Sequence, residues 1–427
     1  MNTLIATETE ATLGFLDHLF AAERPAGVAF QLWNGVRWPD EQPRPATIVL
    51  KHPGALRAML LPGTARGLGE AYLRDDFDVD GDIEQAMELA TVLENRPAGW
   101  LTSLADYFHV HRLPGVPADR ADGRAAPALN GREHSLDRDR QAISFHYDVS
   151  NDFYQLWLDE RMVYSCGYFE TPGVSLDQAQ AAKLDLICRK LRLRPGQHLL
   201  DIGCGWGGLA IFAASRYGVK VTGVTLSERQ VEEGRDRVRR AGLTETVRLE
   251  LCDYREIHPP AGFDAIASVG MAEHVGRERL PGYFKAAGAL LKPGGVFLNH
   301  AISEGLRADR FCGPSFVDRY VFPDADIPPL PVVVAAAAEA GLDVRDVENL
   351  REHYTLTLRH WVGRLEAAHD RALEFVNEPT YRVWRLYMAG SAHGFAHGDL
   401  ALYQTLLSRP GPGGRAGLPL TRRDWFA

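Results

Sequence analysis

From residue 198 to residue 301, short apolar runs alternate with amphipathic stretches. The runs at 198–202, 219–226, 247–252, 263–269 and 295–301 read as strands, and the apolar run 198–202 as a buried parallel one. Between them, 209–216, 227–241 and 279–291 carry apolar residues at helical spacing, and a further helix, 175–191, leads into the first run over a Pro195-Gly196 turn. Strands that alternate with helices predict a parallel, doubly wound α/β sheet. Past residue 302 the alternation lapses. Residues 307–331 read as irregular, followed by helices at 331–340, 356–375 and 380–396 and a last strand-like run at 400–407.

Upstream, 28–33 and 46–50 read as strands and 53–61 and 82–93 as helices, with Ile83, Ala86, Met87, Leu89 and Ala90 on one face. These make a small α+β domain over 1–112. Residues 113–140 have the Pro, Gly, Ala, Arg and Asp composition of a linker. The main domain spans 141–408, and 409–427 is a Pro/Gly/Arg-rich tail expected to be loose up to Trp425-Phe426.

The first buried run ends in Asp201-Ile202-Gly203-Cys204-Gly205-Trp206-Gly207-Gly208. Without a Cβ the backbone can turn sharply there and a ligand can lie against it, at the carboxyl end of the strand. The loop lacks the Gly-Lys-Ser/Thr ending of a phosphate loop. The second strand closes without the carboxylate that a nicotinamide site wants. The pattern DxGxGxG, with Asp201 ahead of the glycines, instead looks like that of an S-adenosylmethionine methyltransferase. Asp253 and Tyr254, closing the third strand, stand where an adenine edge would be read. The acidic run Asp75–Asp82 superficially resembles a calcium loop but misses the EF-hand spacing; it reads as a solvated turn, and no metal is expected.

A net charge of −9 argues against an unspecific nucleic-acid binder. No apolar run approaches the roughly 20 residues of a membrane span, and the first residues lack the basic-then-apolar order of a secretion signal. The five cysteines are odd in number and scattered, which fits a reducing cytoplasm.

Several motifs, in order, resemble the cyclopropane-fatty-acid synthase family, including the mycolic-acid cyclopropane synthases. They are FHYDVSNDFY (145–154), YSCGYF (164–169), LDIGCGWGGLA (200–210), VTLSERQ (224–230), CDYRE (252–256), SVGMAEHVG (268–276), LKPGG (291–295) and RYVFP (319–323). GLGEAY (67–72) is similar to the amino-terminal lipid-handling domain of the longer bacterial members. The resemblance implies a Rossmann-like class I methyltransferase sheet with helical insertions over the active site. It also implies a reaction at a cis double bond of a phospholipid acyl chain, in which the π electrons take the sulfonium methyl and a bound bicarbonate removes a proton so that a cyclopropane closes.

An alkene needs no deprotonation before attack, so a nucleophilic triad would be superfluous; a dry groove, a positioned donor and one base suffice. The family pattern places Glu273, His300 and Tyr354 around the bicarbonate, with Cys166 beside it. Taken singly, these residues also read as a helix cap, a satisfied core histidine, core packing and a small buried hydrophobe. Phe169 and Tyr320 would face the cation. For the cofactor, the resemblance gives Tyr164 and Ser165 over the donor, Asp201, Gly203 and Gly205 in the loop, and Thr225, Leu226 and Gln230 on the ribose side. One departure stands out. Where the family commonly has a cysteine, this chain has Ser391, a far poorer nucleophile.

Two alternatives remain open: a C-methyltransferase of the same family giving methylene- or methyl-branched chains, and a catalytically silent lipid-binding protein. The resemblance further implies a homodimer held peripherally on the inner face of the membrane.

Overall fold

The computed structural model describes residues 2–21, 24–94, 104–119, 121–132, 135–147, 149–258, 261–307 and 315–425. Asp148 of the FHYDVSNDFY motif, Cys312, one of the five cysteines, and Phe426 lie outside them. The chain forms two compact units: Met1–Ala126 with Arg310–Val321 and Asn377–His393, and Pro127–Asp309 with Phe322–Val376 and Gly394–Ala427.

The smaller unit holds a four-stranded sheet of β1 (Val28–Gln31), β2 (Arg37–Trp38), β3 (Ala46–Leu50) and β4 (Phe77–Gly81) in the order β2-β1-β3-β4. β1 and β3 are parallel and the outer pairings antiparallel. Phe20, Phe30 and Trp38 pack together with ring centroids 5.4 to 5.9 Å apart.

One expectation fails in this unit. GLGEAY lies in a helix, Ala65–Leu73, whose start is capped by the Thr64 hydroxyl accepting from the Gly67 N–H. The acidic run that follows is a strand rather than a solvated turn, because its carboxylates have partners. Arg382, from a segment some three hundred residues on, pairs with Asp75 at 2.8 Å, Asp78 at 3.2 Å and Glu378 at 2.9 Å. It also donates to the Tyr72 carbonyl at 2.9 Å and stacks over the Tyr72 ring. Asp76 is fully buried against His52 Nε2.

The larger unit is built on a seven-stranded sheet: β5 (His198–Ile202), β6 (Lys220–Thr225), β7 (Val247–Leu251), β8 (Phe263–Val269), β9 (Leu291–Glu304), β10 (Asp343–Asn349) and β11 (Leu400–Ser408). The order is β10-β11-β9-β8-β5-β6-β7, with β11 antiparallel to both neighbours and β5 to β9 parallel. This is the expected α/β, Rossmann-like sheet. The helices Leu176–Lys190, Gly208–Tyr217 and Glu228–Arg240 contribute to the core on one face, and Leu280–Leu290 and Leu330–Glu339 to the core on the other.

β10 was not expected. Its sequence, DVRDVEN, is too polar to read as a strand, but an edge strand has only one paired side and tolerates charge. The tail also departs from expectation: Trp425 is buried in the core beneath the helix Leu176–Lys190, and Arg192 pairs with Asp424. A further helix, Leu136–Tyr147, begins inside the expected linker.

Candidate active site

β5 and β8 lie side by side in the middle of the sheet, so the loops leaving their carboxyl ends open one crevice. The first is GCGWGG. Gly203, Gly205 and Gly207 all have positive φ, a conformation that side chains resist. At Gly205 the nearest atom to an added Cβ would be Gln230 Nε2, 4.0 Å away, so this backbone faces open space. A cavity of about 490 Å³ lies against it.

All ten residues expected at the cofactor line this cavity: Tyr164, Ser165, Asp201, Gly203, Gly205, Thr225, Leu226, Gln230, Asp253 and Tyr254. The Thr225 hydroxyl donates to Gln230 Oε1 at 2.8 Å, which leaves the amide nitrogen of Gln230 as the donor available to a ligand. Asp253 is already held by a fork from Arg255, with Nε on Oδ1 at 2.8 Å and Nη2 on Oδ2 at 2.7 Å. Its spare lone pairs, not its charge, are what it can offer an adenine.

Asp201 is buried with Oδ2 unpartnered among the described residues, and burial lifts its acid from 3.8 to about 7 against the pull of Lys183. Lys183 lines the same cavity, and no sequence signal picked it out. Its ammonium donates to Ser165 Oγ at 2.8 Å, and burial lowers it to about 8 although Asp159, Cys166 and Asp201 oppose that. One turn earlier on the same helix, Gln180 donates to the Ser165 carbonyl at 2.7 Å. Together they fix the segment that carries Tyr164 over the cavity. Rings surround Tyr164: Trp361 at 5.1 Å, Trp157 at 5.4 Å and Tyr154 at 5.7 Å between centroids. An orphaned acid, an open glycine and an aromatic wall suit a cationic sulfonium cofactor with a nucleoside.

The residues expected around bicarbonate do not line this cavity, but three of them stand one step behind it. Cys166 follows Ser165, Glu273 lies between Met271 and His274, and His300 is the strand partner of Val269. β8 ends with the Gly270 N–H donating to the His300 carbonyl at 2.8 Å. The next rung is made by a side chain: the Ile302 N–H donates to Glu273 Oε1 at 2.7 Å. The carboxylate thus continues the ladder where the strand stops.

On the far side, Ile302 faces Leu402, whose carbonyl accepts from Leu350 N–H. The Leu350 carbonyl accepts the Cys166 thiol at 3.8 Å and the Tyr354 N–H at 3.1 Å. One transverse string therefore joins Glu273, Cys166 and the helix turn that carries Tyr354, with His300 two residues back on β9.

Glu273 Oε2 and His300 Nε2 are buried and have no partner among the described residues. Burial raises Glu273 from 4.5 to about 7, moderated by the Ile302 N–H, and burial with the nearby Lys183 and Lys190 charges holds His300 well below 6.5. A neutral imidazole and a carboxyl at adjacent rungs suit a small oxyanion carrying an O–H. Burial raises the Cys166 thiol, so it is no thiolate nucleophile.

Phe169 is buried, stacked on His360 at 5.6 Å, with its N–H donating to His353 Nδ1. Tyr320 and Ser391 fall in the smaller unit, apart from this set in the division of the chain. The Tyr320 hydroxyl donates to Glu70 Oε1 at 3.2 Å, and Ser391 is half-buried on the helix Glu378–His397.

Comparison with known proteins gives a consistent picture. The family model described as mycolic acid cyclopropane synthetase matches residues 134–405. A Pseudomonas putida protein named "Probable fatty acid methyltransferase" is 42% identical over 93% of this chain and 95% of its own length. The cyclopropane-fatty-acyl-phospholipid synthase of Escherichia coli K12 is 34% identical over 86% of this chain and 88% of its own. Among solved structures, a mycolic acid cyclopropane synthase complexed with SAH and CTAB superposes with a TM-score of 0.59 at 34% identity, covering 63% of this chain and 97% of that one.

Proposed function

The chain belongs to the mycolic acid cyclopropane synthetase family, and from that premise we propose that it is a cyclopropane-fatty-acyl-phospholipid synthase. The family is one of S-adenosylmethionine-dependent methyltransferases acting on lipid acyl chains. The proposed reaction adds a one-carbon unit across a cis double bond and closes a three-membered ring. The observation that carries this reading is the pair of buried polar atoms without partners among the described residues, Glu273 Oε2 and His300 Nε2, beside the cofactor cavity.

In this reading S-adenosylmethionine supplies an electrophilic methyl group and bicarbonate supplies the base. Gly205 and Gln230 hold the nucleoside side, and the rings around Tyr164 border the sulfonium. Glu273 Oε2 accepts the O–H of the anion while His300 Nε2 and the Tyr354 hydroxyl donate to its oxygens. Cys166 borders the same space as a neutral thiol. Phe169 and Trp361 offer π faces to positive charge on the acyl chain. No step asks a side chain to become a nucleophile, which fits a raised Cys166 thiol and a serine at 391. A phospholipid substrate entails contact with a bilayer surface, reached from the cytoplasmic side; no helix among the described residues is long and apolar enough to cross one.

The test is expression in a host rich in unsaturated phospholipids, supplied with deuterium-labelled methionine, followed by mass spectrometry of the fatty acids. A ring retains two deuterons from each labelled methyl, and its appearance supports the reading. A methyl branch that retains all three, or an exocyclic methylene that retains two but, unlike the ring, is cleaved by ozone, supports the second reading, a fatty-acid C-methyltransferase, which the name of the 42% identical relative favours. Unaltered lipids, with no heat of binding for S-adenosylmethionine in calorimetry, would leave only a silent lipid-binding protein.

A further inference from the structure

The Nε2 of His300 is buried and has no partner among the described residues, and what it can do depends on where the imidazole carries its proton. Burial and two nearby ammonium groups keep the ring neutral, so one nitrogen holds a hydrogen and the other a lone pair.

The choice is made behind the ring. Gln404 on β11 lies directly opposite His300 on β9, and Glu348 on β10 lies directly opposite Gln404. Three side chains thus stand in a row across three strands. Lys190, the last residue of the helix Leu176–Lys190, is almost completely buried over this row. Its ammonium donates to Gln404 Oε1 at 2.8 Å, is hydrogen-bonded to Glu348, and lies 3.8 Å from Asp346 and 5.6 Å from the centre of the Trp425 ring.

An ammonium has no lone pair to give. The amide atom that faces Lys190 is therefore the oxygen, and the amide cannot turn over without setting donor against donor in a fully buried place. The NH₂ group is left facing His300 Nδ1, at 3.2 Å. An NH₂ can only donate, so Nδ1 carries the lone pair and the ring hydrogen sits on Nε2. An imidazolium is disfavoured for the same reason, since its Nδ1–H would oppose the amide hydrogens.

We propose that Lys190 and Gln404 are positioning residues that lock His300 as its Nε2–H tautomer, so that it offers a hydrogen-bond donor, and never a base, to the anion beside Glu273. The function assigned to that donor rests on the proposed function above. The tautomer itself does not. The tail takes part, because Trp425 and the pair Arg422–Asp346, at 2.5 Å, cover the Lys190 end of the row.

The test is long-range ¹H–¹⁵N correlation on full-length protein labelled at histidine nitrogens, with the His300 signals identified by their loss in His300→Gln. The wild-type protein is expected to show an unprotonated Nδ1 and a protonated Nε2. In Gln404→Glu a carboxylate held by Lys190 accepts from the ring, and the proton is expected on Nδ1. Turnover should then fall at least about tenfold while calorimetric affinity for S-adenosylmethionine stays within about twofold, since a wrong histidine tautomer disables an otherwise intact site. Lys190→Met, which frees the amide to turn, should give a mixture of tautomers. A wild-type ring protonated on Nδ1 overturns the inference, and so does a proton that remains on Nε2 in Gln404→Glu. A proton that moves as expected with turnover unchanged upholds the lock and removes His300 donation from the proposed function.

Discussion

Replacing Glu273 by Gln separates what this residue does for the reaction from what it costs the fold. The amide keeps an oxygen for the Ile302 N–H, so the rung that extends β8 survives. What disappears is a buried charge. In the native protein the acid is raised from 4.5 to about 7, so between those values the folded chain binds a proton that the unfolded chain has released. Stability therefore falls as pH rises through that window, by about 3 kcal/mol in all at 1.36 kcal/mol for each tenfold change in proton affinity. Glu273→Gln has no such loss. Near pH 4 the two proteins should melt close together; at pH 8 the variant should be more stable by about 3 kcal/mol, roughly 5–10 °C for a unit of this size. Asp201 titrates over a similar range but does so in both proteins and cancels. The assay is calorimetric melting from pH 4 to 8, beside turnover and S-adenosylmethionine binding at pH 8. Turnover should drop sharply with affinity nearly unchanged, because Glu273 holds the base and not the donor. A variant less stable than wild type at pH 8, or a gap that does not close toward pH 4, refutes the reasoning.

Other perturbations read other parts of the site. Lys183→Met removes the cation that draws Asp201 downward, so the S-adenosylmethionine affinity profile should move to higher pH, with roughly tenfold weaker binding at pH 7; an unmoved profile means the two groups do not communicate. Gly205→Val puts a branched side chain at positive φ into the open face of the loop, and calorimetry should show cofactor binding lost. Ser391→Ala should stay within about tenfold of native turnover, or about 1.4 kcal/mol, and complete loss would give the serine a role outside this scheme.

The sheet was legible because short apolar-rich runs alternate with helical stretches, and β5 to β8 fall at or within a residue of their expected ends. The cofactor residues were legible because a motif keeps them close in sequence. Lys183, Lys190 and Gln404 were not. A lysine on a helix reads as solvated, and only tertiary packing, of Lys183 against Ser165 and of Lys190 against Gln404, takes these ammonium groups out of water. β10 escaped because its polar residues pair with charges from remote segments: Glu348 and Asp346 with Lys190, and Asp346 with Arg422. The run Asp75–Asp82 misled for the same reason, since its counter-ion lies at residue 382. Tertiary partners, rather than local propensity, decided each of these cases.

That counter-ion has a bearing on how the protein is made. The carboxylates of Asp75 and Asp78 leave the ribosome some three hundred residues ahead of Arg382. Until then Asp75 and Asp78 lack the guanidinium that joins them, and Tyr72 lacks the cation over its ring. The small sheet is thus finished late, when the large sheet still lacks only its closing strand, β11. A chain cut short before residue 382 would carry a nascent amino-terminal region in need of a chaperone's shelter.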